Sequence, residues 1–159
     1  MYLCHSEYQI LSWNIHGNLA LKLTSPEFAK FLFSFDICIL QETHIQSLQC
    51  DALQIPDDFL IHSVSCPWLE NLGHPGGGIA VLIHSSINAS ICNDIMSHTP
   101  NILVLDCDTF TIICAYVPHE TSPWHKWATV EPWQRFVRIT ALCACSWNKP
   151  LIIVGNLNV

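Results

Sequence analysis

Asp36-Ile37-Cys38-Ile39-Leu40-Gln41-Glu42-Thr43-His44 is an apolar run that stops in an amide, a carboxylate and a hydroxyl. An unbroken apolar run this short, with β-branched residues in it, reads as a strand covered on both faces. A carboxylate at the mouth of a buried strand is held rigidly and is partly desolvated, the setting in which hard cations find oxygen ligands. The ordinary alternative is a solvated strand-end acid, because most carboxylates lie at protein surfaces.

The neighbouring sequence supplies mostly further strands. Tyr8 to His16 is an apolar strand before the run. Ser25-Pro26-Glu27 starts a helix that should reach about Ser34, with a serine cap, proline at the first helical position and an acid in the first turn. After the run, strands are expected at Leu60–Cys66, Gly77–His84, Ala89–Met96, Ile102–Asp106 and Phe110–Val117. Cys107-Asp108-Thr109 reads as the turn of a hairpin. Pro132–Cys145 reads as a second helix with Phe136, Ile139 and Leu142–Cys143 on one side, and Leu151–Val154 as a last strand between Pro150 and Gly155. Two helices among about eight strands, in adjacent runs rather than strict alternation, predict an α+β fold. Its sheets should be mixed and largely antiparallel, with helices on an outer face.

Composition narrows the function classes. The 159 residues are 50% apolar and only 12% charged, against about 25% charged in ordinary soluble domains. This predicts either a deeply buried sheet or a fragment with one apolar face awaiting cover. A membrane-spanning helix is excluded, because the richest stretch, Phe28 to Leu40, is interrupted by Lys30, Ser34 and Asp36. The net charge is −7, and the six basic residues form no block, so the stripe that marks tight nucleic-acid binding is missing. The nine cysteines sit mostly in apolar runs and read as buried free thiols of a reducing compartment. The N-terminus has no signal-peptide pattern, so the chain is expected to be intracellular, in nucleus or cytoplasm, and not secreted.

Other strand ends carry possible chemistry. Leu11-Ser12-Trp13-Asn14-Ile15-His16-Gly17 places an asparagine where a strand meets a glycine turn, able to orient a carboxylate or touch a phosphate, or serving only the turn. Pro75-Gly76-Gly77-Gly78 precedes a strand rather than a helix, which rejects a phosphate loop and favours a bend or bulge. Ala115-Tyr116-Val117-Pro118 sets a tyrosine at a strand mouth, and Ile153-Val154-Gly155-Asn156-Leu157-Asn158 ends another strand in polar groups. His16, His44 and His119 follow these motifs and read as rim residues. A cysteine-histidine zinc module is the least favoured alternative, because no Cys-x-x-Cys pair exists.

Taken in order, these motifs resemble the endonuclease/exonuclease/phosphatase superfamily from Tyr8 to Val159. The nearest resemblance is to the apurinic-type endonuclease domains of non-long-terminal-repeat retrotransposons. The resemblance implies a four-layer α/β/β/α sandwich, of which residues 1–159 would be a single partial domain, its N-terminal part, truncated at the C-terminal side. It implies that Glu42 holds Mg2+, or Mn2+ as the alternative. It implies that Asn14 hydrogen-bonds near metal and phosphate, that Tyr116 contacts the scissile phosphate, and that Asn156 and Asn158 stand where nucleophile and phosphate are positioned. The implied substrate is DNA or another phosphodiester; no membrane is involved and the oligomeric state is open.

Two departures bear on activity. The family's Gly-Asp-Phe-Asn motif reads Gly155-Asn156-Leu157-Asn158 here, and an amide cannot take the proton that an aspartate takes. The family's later aspartate and its Asp-His pair find no counterpart in these residues. The expectation is therefore a metal-dependent phosphodiester hydrolase by ancestry, inactive as these 159 residues. The alternative is a non-catalytic retrotransposon-derived remnant with no binding function.

Overall fold

The computed structural model describes residues 7–45, 52–65, 68–69, 74–92, 101–117, 132–146 and 148–157. These form, in chain order, β1 (Ile10–Asn14), α1 (Leu19–Leu23), α2 (Pro26–Leu32), β2 (Ile37–Gln41), β3 (Phe59–Val64), β4 (Trp68–Leu69), β5 (His74–Pro75), β6 (Ile79–His84), β7 (Ala89–Ile91), β8 (Ile102–Cys107), β9 (Thr111–Val117), α3 (Pro132–Ser146) and β10 (Leu151–Leu157).

The apolar run from Ile37 does lie between two layers: every residue of β2 is buried. Its sheet has the order β1-β2-β6-β3, with β1 parallel to β2 and the other neighbours antiparallel. The second sheet repeats this plan as β10-β9-β8-β7, with β10 parallel to β9 and the rest antiparallel. Each sheet thus has one parallel pair at one side, and those pairs lie near each other because β10 packs against β1 and β2.

Alternation along the strands builds three apolar layers. Ile37, Ile39 and Val81 of the first sheet meet Leu105, Ile112 and Cys114 of the second between the sheets. Cys38, Leu40 and Leu82, on the opposite face of the first sheet, pack under Leu19, Leu23 and Leu32 of α1 and α2. Val104, Ile113 and Ala115, on the outer face of the second, pack under Phe136, Ile139 and Cys143 of α3. The result is a four-layer α/β/β/α sandwich with mixed, largely antiparallel sheets. Among the described residues no helix is long and apolar enough to cross a membrane.

The helix start at Ser25 behaves as its chemistry demands: Ser25 Oγ accepts from the Phe28 N–H at 3.4 Å, with Pro26 in the first turn. The helix ends at Leu32, before the expected Ser34, whose hydroxyl instead donates to the Phe31 carbonyl at 2.6 Å. The Cys107–Phe110 turn closes a hairpin, with the Cys107 N–H donating to the Phe110 carbonyl at 2.9 Å.

Four expectations need correction. A third helix, α1, exists; with a single turn's length and no side-chain cap, it carries little sequence signal and depends on burying Leu19 and Leu23. The short β4–β5 pair also adds two strands to those expected. Leu142 does not face the core with Cys143 but is 48% exposed, because the buried stripe of α3 runs through positions 136, 139 and 143. Gly155 does not end the last strand. It lies inside β10 at φ +145°, opposite Ala115, where a Cβ would overlap the Ala115 carbonyl. The expected strand at Ala89–Met96 is described only to Ile91, and residues 93–96 lie outside the described residues.

The cysteines pack as small apolar groups. Cys38, Cys107, Cys114 and Cys143 are buried and free. Burial pushes the Cys38 thiol up to about 12 and those of Cys107 and Cys143 up to about 11. Thiols so disfavoured as thiolates are inert packing rather than nucleophiles or ligands.

Candidate functional site

Both parallel pairs end on the same side of the sandwich. Asn14 closes β1 and is paired in register with Gln41, the last residue of β2. Beyond the strands the ladder continues: the Ile15 N–H donates to the Gln41 carbonyl at 3.1 Å and the Gly17 N–H to the Glu42 carbonyl at 2.5 Å. On the other flank, the N–H groups of Thr43 and His44 donate to the carbonyls of Gly78 and Gly77 at 3.3 and 3.1 Å. Glu42 is thus clamped between two turns.

The clamping forces unusual backbone. His16, Gly17, Asn18, Glu42, His44, Gly77 and Gly78 all have positive φ, and among the described residues only Gly155 shares this elsewhere. Non-glycine residues in this region cost free energy and persist where their surroundings over-determine them, which is typical of functional sites. The glycine run acts here as a close-approach segment: a Cβ on Gly78 would stand 2.9 Å from Thr43 Oγ1. Gly17 likewise lies directly against the His44 ring, leaving no room for a side chain.

The side chains form a closed ring. The Asn14 Oδ1 accepts from the His16 backbone N–H at 3.0 Å, which fixes the amide orientation. Nδ2 therefore faces Glu42 and donates to Oε1 at 3.0 Å. His16 Nδ1 stands 3.3 Å from Glu42 Oε2. From the second sheet, the Tyr116 hydroxyl donates to the same carboxylate. Asn156 is the register partner of Tyr116 on β10. Since Ile152 and Val154 face the layer between the sheets, Asn156 shares that inner face with Tyr116.

The structure therefore joins Asn14, Glu42 and Tyr116 in one network, with Asn156 beside it. Asn158 and His119 lie outside the described residues. His16, a rim residue by its sequence, is 80% exposed, yet its ring is turned onto a carboxylate only 21% exposed. The signal for it was present in the Asn-x-His-Gly turn, where an asparagine side chain commonly accepts from the N–H two residues on.

Burial acts to raise the Glu42 carboxyl, but hydrogen bonds from Asn14, Tyr116 and His16, and attraction to His16, hold it below its ordinary 4.5. The native carboxyl thus binds a proton more weakly than the unfolded one. Its stabilising contribution is fully present above 4.5 and is lost as the pH falls below that value through the lower native pKa. Glu42→Gln, which cannot titrate, should accordingly show a stability gap from the native chain that is flat above pH 5 and narrows below about 4.5. Denaturant unfolding across that range checks this; a gap that widens on acidification would mean the network does not favour the charged form.

A model of the "Endonuclease/Exonuclease/phosphatase family" matches residues 11–159. Among solved structures, the chain is similar to the 3′ phosphatase NExo from Neisseria, bound to a product DNA hairpin, with TM-score 0.61 and 18% identity over 96% of this chain and 58% of that one. It is similar also to the endonuclease domain of TRAS1, a telomere-specific non-LTR retrotransposon, with TM-score 0.57 and 18% identity over 96% of this chain and 61% of that one. The chain thus spans less than two thirds of either structure's length. No curated protein matches significantly. With the family model matching residues 11–159 and the same sandwich observed, the chain belongs to the Endonuclease/Exonuclease/phosphatase family.

Proposed function

We propose that this chain carries the metal-binding half of a divalent-metal-dependent phosphodiester hydrolase acting on DNA, endonuclease-like in type, and that these 159 residues alone do not turn over. The observation that supports it most is the carboxylate of Glu42, held ionised at the mouth of both parallel pairs by groups from both sheets. The donor chemistry fits a hard divalent ion: an oxygen ligand, charged near neutral pH, on rigid backbone. Glu42 would hold Mg2+ or Mn2+, which when bound would polarise a phosphate and lower the pKa of water.

The residues of this chain have separable tasks. Asn14 uses both ends of its amide, so it orients Glu42 and the His16 backbone at once. The Tyr116 hydroxyl, tied to Glu42 across the sheets, can turn its proton from the carboxylate to a phosphate oxygen. Asn156 can donate a hydrogen bond to phosphate but cannot act as a base. That last point favours a second reading, a remnant of such an enzyme without catalysis. DNA as substrate is supported by the two similar structures and not by charge, given the net −7.

Magnesium-linked stabilisation tests the metal assignment without requiring turnover. A ligand at a hundred times its Kd stabilises by about 2.7 kcal/mol. Saturating Mg2+ should therefore raise the melting temperature of the native chain by several degrees and leave Glu42→Gln unmoved. Equal shifts in both proteins would refute Glu42 as the ligand.

A further inference from the structure

We propose that His16 is a direct ligand beside Glu42, making this a mixed nitrogen-oxygen site that takes an ion of the Mn2+ class in preference to Mg2+. The inference rests on the metal reading above and deepens it. His16 Nδ1 and Glu42 Oε2 stand 3.3 Å apart, and adjacent ligands of an octahedral ion, each at about 2.1 Å, stand about 3 Å apart. The two donors are therefore already spaced as a chelating pair.

Their placement is not left to chance. The His16 backbone is pinned by its N–H to Asn14 Oδ1, and the same amide holds Glu42 Oε1 through Nδ2. One side chain thereby fixes the distance between both donors, as outer partners of metal ligands commonly do. Oε1 is engaged by Asn14, so the carboxylate turns Oε2 to the side where the imidazole lies. The ring is 80% exposed, so it is neither packed nor buried for the sake of the core. It also sits on backbone at φ +52°, a conformation that asparagine or glycine holds more easily than histidine. A costly residue in an exposed turn, aimed at a carboxylate with which it shares a hydrogen bond, is the second donor offered to an ion at this place.

The metal class follows from the donors. Imidazole has little affinity for Mg2+, whereas Mn2+ accepts carboxylate and imidazole together. Zn2+ would compete for the same pair, so the preference proposed is that of Mn2+ over Mg2+. Two protein ligands leave the other positions for water and substrate oxygens, as a catalytic ion requires. When the ion binds, the Nδ1 proton is released to solvent or the ring takes its Nε2–H tautomer.

Mn2+ alone is the probe, on the full 159-residue chain, with His16→Asn and Glu42→Gln beside it. Asparagine tolerates the left-handed backbone and keeps an oxygen donor, so folding is preserved. Calorimetry should show the native chain binding Mn2+ more tightly than Mg2+. His16→Asn should weaken Mn2+ about tenfold and Mg2+ less than about twofold. Pulsed electron paramagnetic resonance of bound Mn2+ should show a directly bound nitrogen in the native chain and none in His16→Asn. Unchanged Mn2+ affinity and nitrogen signal in His16→Asn, with binding lost in Glu42→Gln, would overturn the His16 assignment and leave the metal reading standing. Tighter Mn2+ binding in His16→Asn would show that the ring plugs the site, and would likewise overturn it. Mn2+ binding untouched by either substitution would overturn both.

Discussion

Gly155→Ala is expected to be the most damaging single methyl that can be added to this chain. Gly155 lies within β10 at φ +145°, a region essentially closed to side-chain-bearing residues. Its Cβ would fall on the carbonyl of Ala115, its register partner on β9. That strand is buried along its whole length, so it cannot retreat without opening the layer under α3. Backbone strain of about 1–3 kcal/mol and overpacking of about 1–3 kcal/mol together give a loss of about 2–6 kcal/mol. A marginal domain has only about 5–15 kcal/mol in total. Urea unfolding should therefore show a large fall in midpoint, or no cooperative transition at all. A loss under about 1 kcal/mol would mean that β10 does not pair with β9 in this register.

The second large effect concerns catalysis. The 159-residue chain should not nick supercoiled plasmid with Mg2+ or Mn2+, and Asn156→Asp alone should not rescue it. Asn156 lies beside Tyr116 on the inner face, and the proposed reading takes it to stand where the family's aspartate takes a proton from water. Loss of such a group commonly costs about 10²–10⁴-fold. Restoring it helps only where the partner groups exist, because residues acting as a unit are not additive. Fusing the C-terminal part of an active family member after Val159 should supply those partners. In that fusion, Asn156→Asp should raise nicking by about 10²–10⁴-fold, and Glu42→Ala should abolish the metal-dependent rate. Robust metal-dependent nicking by the unmodified chain, lost on Glu42→Ala, would show that the amide at 156 is no obstacle.

Local chemistry and period carried much of this fold into the sequence. The unbroken apolar run at Ile37–Leu40 calls for cover on both faces, and Ser25-Pro26-Glu27 joins a cap, a proline and an acid that together favour a helix start, so both were legible. Glu42 by itself reads as an ordinary strand-end acid, and only the order of the motifs around it singled it out. The order of strand-end motifs was also sufficient for the family.

What the sequence could not hold is anything decided by two segments distant along the chain. Gly155 reads as a strand terminator because glycine usually is one; only the neighbouring Ala115 carbonyl turns it into a mid-strand necessity. The glycine run before β6 reads as a bend, and only the Thr43–His44 backbone beside it reveals a clamp on Glu42. α1 has too few residues to nucleate alone and exists because the first sheet offers Leu19 and Leu23 a surface. His16 looks like a rim histidine until the left-handed turn after Asn14 swings its ring onto Glu42. Periodicity and capping are properties of neighbours in sequence, whereas close approach and the spacing of two ligands arise only when separate strands are brought together.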